Sequence, residues 1–187
     1  MFMARKFPIT RLSLTVLAAS LFLLADQADG GSNQGFRPEI VSPRRFKNPQ
    51  VDDLIPIAIK VEGTSEVRQT RIRAIFDPAF FEFVAFEPGN HPADQENFVA
   101  FGSVLEEDGV QVASGGGTLF GGNADTSGGG FLGRMIFRLI QAIGSESKTI
   151  SVISVRVAVS VKDEDIWRFE SGKFSVVALL DSPNKIF

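Results

Sequence analysis

From Leu54 onward apolar and polar residues alternate with a period of two, the spacing of strands with one buried face. Ile55, Ile57, Ile59 and Val61 alternate with Pro56, Ala58, Lys60 and Glu62 over Leu54 to Glu62. Gly63-Thr64-Ser65 then turns the chain into a second run, which starts as early as Val67. In that run Ile72, Ala74 and Phe76 alternate with Arg71, Arg73 and Ile75. Asp77-Pro78 ends it, because proline donates no ladder hydrogen bond and aspartate binds nearby backbone amides. A third run, Phe81 to Glu87, stops at Pro88-Gly89.

The same punctuation continues along the chain. Asn90 to Asn97 has no apolar pattern and reads as a loop. Phe98 to Leu105 and Val110 to Ala113 flank Glu106-Glu107-Asp108-Gly109, a hairpin signal. Ser114 to Gly130 holds eight glycines, which suits bulges and an irregular excursion, although its start can still pair. Phe131 to Ile140 is apolar on both faces apart from Arg134 and Arg138, as a central strand would be. Leu132, Met135, Ile136 and Leu139 also fit a helix, but Gly133 and the glycines at 128–130 weigh against one.

Ile150 to Val161 is rich in β-branched residues, and its alternation slips near Ile153-Ser154, the mark of a bulge. Trp167 and Phe169 alternate with Arg168 and Glu170 after a turn at Lys162 to Asp165, and Lys173 to Leu180 closes the series. Pro38 to Pro49 adds a short edge strand, where proline is tolerated. About nine short strands with regular turns and no persuasive helix predict an all-β antiparallel sandwich.

The N-terminus follows a different pattern. Arg5, Lys6 and Arg11 precede an apolar segment of 14 residues, Leu12 to Ala25. That is shorter than the roughly 20 residues of a membrane span, so residues 1–30 read as a signal peptide for secretion, to the periplasm, cell surface or medium. Gly30 and Ala25 are both plausible cleavage points. Residues 31–37 read as a flexible linker and 38–187 as one domain, with no membrane contact once the signal is removed.

Composition narrows the chemistry. The chain has no cysteine, which excludes disulfides, thiol catalysis and zinc-thiolate sites. A net charge of −3 gives no reason for nucleic acid to bind. Eighteen Phe against one Trp and no Tyr favour core filling over the wet-edged aromatic platforms that stack on sugars.

Candidate sites are few. Arg71 and Arg73 project to one side of a strand together with Gln69, and arginine is a favoured interface residue. Trp167 is the one candidate for carbohydrate stacking, against packing in the core. His91 has no second His or Cys to complete a metal site. Glu82 and Glu87 fit alternating strand positions better than a glycosidase pair. Asp163 and Asp165 fit an acidic turn better than a calcium site. The glycine run lacks the GK[ST] and the helix that a phosphate cradle needs. No enzyme activity, metal or cofactor is expected.

Three blocks resemble cohesin-like modules of bacterial secreted proteins: Ile55 to Gly63, Phe76 to Asn90 and Ser127 to Leu139. Their order and separation cover roughly Ile40 to Leu180. The resemblance implies a jelly-roll sandwich with a protein partner, in cohesins proper a dockerin. In that family the outward side of the strand matching Gln69, Arg71 and Arg73 belongs to the partner-binding sheet and carries small polar or acidic groups. Arginines there imply a partner with an acidic surface. Related modules share a superfamily with carbohydrate-binding domains, so association with polysaccharide is a further expectation. A structural part in a cell-envelope or extracellular assembly is the alternative.

Overall fold

The computed structural model describes residues 33–178 except 44, 93–95, 122–127, 145–146, 161–162 and 169–174, with only the backbone described at 160, 163–165, 167 and 175–178. The expected signal peptide lies outside the described residues. Among the described residues ten strands form two antiparallel sheets. They are β1 (Arg37–Ile40), β2 (Leu54–Thr64), β3 (Gln69–Phe76), β4 (Phe81–Pro88) and β5 (Phe98–Glu107), then β6 (Val110–Leu119), β7 (Gly128–Leu139), β8 (Lys148–Ser160), β9 (Asp163–Arg168) and β10 (Ser175–Ala178).

One sheet has the order β1-β2-β7-β4; the other runs β10-β8-β3-β6-β5, with β9 also paired to β8. The chain changes sheet after β2, β3, β4, β6 and β7, the exchange that makes a sandwich a jelly roll. Apolar alternation decides which side of each strand is inside. On β2, Ile55, Ile57, Ile59 and Val61 are buried, and on β3, Ile72, Ala74 and Phe76 are buried opposite them. Phe137 of β7 joins the two layers, with its ring centroid 5.4 Å from Phe76 of β3 and 5.5 Å from Phe83 of β4.

Turn chemistry sets the strand ends. The Asp77 carboxylate accepts the Ala79 amide at 2.9 Å, and the Asp77 carbonyl accepts the amides of Phe80 and Phe81. Asp108 and Gly109 both have positive φ, 51° and 76°, the backbone of a two-residue hairpin whose twist matches its strands. The slip expected near Ile153-Ser154 is a bulge: Arg73 faces Ser154 while Ala74 faces Val152, leaving Ile153 without an opposite number.

The start of the glycine run pairs, as its sequence allowed: residues 114–119 complete β6, and residues 128–130 open β7. The glycines are there for room: a Cβ on Gly115 would stand 2.7 Å from the Phe86 ring, and one on Gly117 would stand 2.4 Å from the Phe98 ring. The expected linker 31–37 joins the fold from Asn33 on. Asn33 is buried and its side-chain oxygen accepts the Ser65 amide at 2.5 Å, while Phe36 is 2% exposed within the core.

Glu82 and Glu87 face Arg138 and Arg134 across the β4–β7 ladder and form ion pairs with them. Exposed pairs of this kind contribute about 1 kcal/mol or less, and they account for these carboxylates as surface partners. His91, in the expected loop, is 4% exposed, and its Nε2 lies 2.9 Å from Thr64 Oγ1. Its backbone amide donates to the Phe131 carbonyl, and the Asn90 side chain accepts the Phe131 amide, so the loop is fastened to β7.

Burial holds the His91 pKa below its ordinary value. An unfolded histidine takes up a proton around pH 6.5. The unfolded chain therefore binds the proton more readily, and the stability due to the neutral ring is complete above about pH 6.5 and lost as pH falls through the depressed pKa. His91→Gln, which does not titrate, is expected to flatten the decline in urea midpoint between about pH 8 and pH 5. An unchanged decline in the variant would assign it to other groups.

Candidate binding face

The outer face of the larger sheet is built in rows, because residues paired across antiparallel strands share a side. One row runs Ile166, Arg156, Arg71, Gly116, Phe101 across β9, β8, β3, β6 and β5. The next runs Arg168, Ser154, Arg73, Ser114, Ser103. Four guanidinium groups thus occupy two adjacent rows on three neighbouring strands. The alternation along β3 put Arg71 and Arg73 on this face in the sequence; Arg156 and Arg168 come from strands whose position only the sheet order and the Ile153 bulge determine.

The three residues expected to bind a partner are not equivalent. Gln69 is held within the sheet, its amide nitrogen donating to Thr118 Oγ1 at 3.2 Å and its oxygen accepting from Arg156 at 3.5 Å. Arg73 is paired with the Glu107 carboxylate of β5. Arg71 has no carboxylate partner among the described residues, and its guanidinium carbon lies 5.6 Å from the centroid of the Phe101 ring. The two side chains belong to strands separated by β6, and they meet because Gly116 places no side chain between them. Such a contact is worth about 0.5–1 kcal/mol where solvent reaches it.

Arg71 and Arg73 form a ridge with a depression on each flank. Towards β5 lies a volume of about 390 Å³ bordered by Phe101, Ser103, Leu105 and Glu107. Towards β9 lies another of about 390 Å³, bordered by Ile153, Ser154, Arg156, Ile166 and Arg168. The first has apolar walls and one carboxylate; the second is basic. Leu105 and Ile166 are 54% and 45% exposed, so apolar surface is available at both margins.

Trp167 stands in β9 opposite Val155 in the ladder, and its side chain lies outside the described residues. The side chains of Asp163 and Asp165 lie outside them too. Among the described residues no three His, Asp or Glu side chains converge on a point where a metal ion would sit.

Two antiparallel sheets with this strand exchange make a β-sandwich with a cohesin-like fold. A solved structure with a similar fold is a cohesin. The third cohesin of ScaC from Acetivibrio cellulolyticus, solved with the ScaB dockerin, is 13% identical, with a TM-score of 0.50 over 69% of this chain and 89% of that one. A cohesin module from a family 33 glycoside hydrolase of Clostridium perfringens is 11% identical, with a TM-score of 0.49 over 79% and 97%. A type II cohesin domain from the cellulosome of Acetivibrio cellulolyticus is 10% identical, with a TM-score of 0.48 over 77% and 94%. No protein-family model matches the sequence, and no curated protein matches it.

Proposed function

We propose that this chain is a secreted, non-catalytic protein-recognition module that binds its partner on the outer face of the β8-β3-β6-β5 sheet. The observation that carries the reading is the composition of that face. It presents Arg71, Arg156 and Arg168 beside the exposed apolar residues Leu105 and Ile166, on a chain whose net charge is −3. Arginine with neighbouring aromatic and aliphatic groups is the residue mixture of protein interfaces. The cohesin-like fold supports the same reading, since the ScaC cohesin was solved in complex with a dockerin. The partner is a dockerin-like protein or another protein with an acidic surface.

The test is capture of purified secreted proteins, including a panel of dockerin modules, by the immobilised chain. Arg71→Glu with Arg73→Glu, and separately Phe101→Asp with Leu105→Asp, are expected to abolish capture. A partner retained in full by both double variants would place recognition elsewhere on the molecule.

A further inference from the structure

The two depressions beside the Arg71–Arg73 ridge differ in charge, and the difference assigns them different parts of a ligand. On the β5 side Glu107 neutralises Arg73, and Phe101 covers the guanidinium of Arg71. That side offers hydrophobic walls. On the β9 side Arg71, Arg156 and Arg168 border one hollow of about 390 Å³ together with Ser154, a hydroxyl able to donate a hydrogen bond. Arg73, Ile153 and Ile166 complete it. None of the described residues that border it is a carboxylate.

Three features of the chain create this hollow. The bulge sets Ile153 outside the ladder, so that it borders the hollow rather than pairing with β3. β9 pairs with the C-terminal half of β8, from Ser154 to Ser160, and brings Arg168 and Ile166 alongside. β10 takes the N-terminal half of β8, from Lys148 to Ser151, on the same side. The sheet is thereby extended past β8 at the level of the arginines.

We infer that the hollow between β3, β8 and β9 is a carboxylate-binding subsite, and that its occupant is an acidic segment of a partner protein in which Asp or Glu alternates with an apolar residue. This rests on the protein-recognition reading above and sharpens it. A carboxylate at the centre accepts forked donors from guanidinium groups, which match its geometry two oxygens at a time. Ile153 and Ile166 take the neighbouring apolar side chain. Arg71 and Arg168 are exposed at the rim, where solvent screens the ion pairs, so affinity falls as salt rises.

The probe is a fluorescein-labelled peptide of alternating Glu and Leu, with a Gln-Leu peptide and heparin as comparisons, titrated against the full chain by anisotropy. The Glu-Leu peptide is expected to bind at low salt and to weaken towards about 0.5 M salt, and the Gln-Leu peptide is expected not to bind. Arg168→Glu is expected to weaken the Glu-Leu peptide at least about tenfold, the usual worth of one charge-assisted hydrogen bond. Arg71→Gln provides a second variant with the same expected direction.

Equal binding of the Glu and Gln peptides, or full affinity in both arginine variants, would overturn the subsite. So would heparin binding through Arg168 without peptide binding, which would transfer the hollow to sulfated polysaccharide. Capture of a protein partner that Phe101→Asp with Leu105→Asp abolishes and Arg168→Glu leaves intact would overturn the subsite while the wider recognition face stood.

Discussion

Gly133→Ala is expected to lower stability by about 3 kcal/mol, combining a conformational cost of about 1–2 kcal/mol with overpacking of similar size. Gly133 has φ +146°, which an L residue rarely adopts, and a Cβ there would stand 2.5 Å from the tip of the Phe86 ring and 2.6 Å from the Glu87 carbonyl oxygen. The ring can move; the carbonyl belongs to the β4–β7 ladder and cannot move without breaking it. Phe86 is caught from the other side as well, since Gly115 of β6 leaves room for the same ring.

Phe86→Leu in the Gly133→Ala background should therefore return part of the loss, and a double-mutant cycle in urea measures the coupling. A Gly133→Ala midpoint within about 0.5 kcal/mol of the parent would show that β7 absorbs a side chain there, against this account.

Phe137→Ala is the second large effect, at about 3–5 kcal/mol, the range for deleting a buried phenylalanine ring. The residue is wholly buried on one of the two inner strands of its sheet, and it touches Phe76 of the opposite sheet and Phe83 of the adjacent strand. Its removal loosens the contact between layers as well as within one. With a total stability of about 5–15 kcal/mol for a domain, this variant stands near the threshold of folding. Phe137→Leu should lose clearly less, and equal losses for the two would mean that the aromatic contacts contribute little.

The exposed-face variants, which remove the Arg71–Phe101 contact and the Arg73–Glu107 pair, are expected to cost about 1–2 kcal/mol, well short of the total stability of about 5–15 kcal/mol for a domain. Their binding losses are then separable from unfolding.

Most of the strands were legible because their two faces meet different surroundings. Where the inside is core and the outside is water, as on β2 and β3, the side chains themselves announce which face is which. The glycines of β6 carry no such information. Their inward neighbours, Phe86 and Phe98, lie on other strands, and a residue without a side chain does not reveal whether it serves as a turn or as space for a distant ring. The burial of His91 was not legible for a related reason: its loop is polar in sequence, and its partner Thr64 lies 27 residues earlier.

The binding face was half legible. Arg71 and Arg73 share a strand, so alternation alone places them together. Their meeting with Arg156 and Arg168 depends on β8 lying beside β3 and β9 beside β8, pairings between segments distant in sequence. One signal was available, in that Arg156 sits between Val155 and Val157, at the outward position of an apolar strand. The neutralisation of Arg73 by Glu107 had no local signal at all, and it is what moves the centre of the basic surface from the Arg71–Arg73 pair towards β9.

The place of β9 has an optical consequence. The chain contains one tryptophan and no tyrosine, and Trp167 falls in β9 between Ile166 and Arg168, two residues that border the basic hollow. Indole emission therefore originates from that strand alone. Detachment of β9 from β8 on heating can be followed by the protein's own fluorescence and compared with the loss of sheet circular dichroism. If emission changes at a lower temperature than the dichroism, the strand that supplies Arg168 opens before the rest of the sandwich melts.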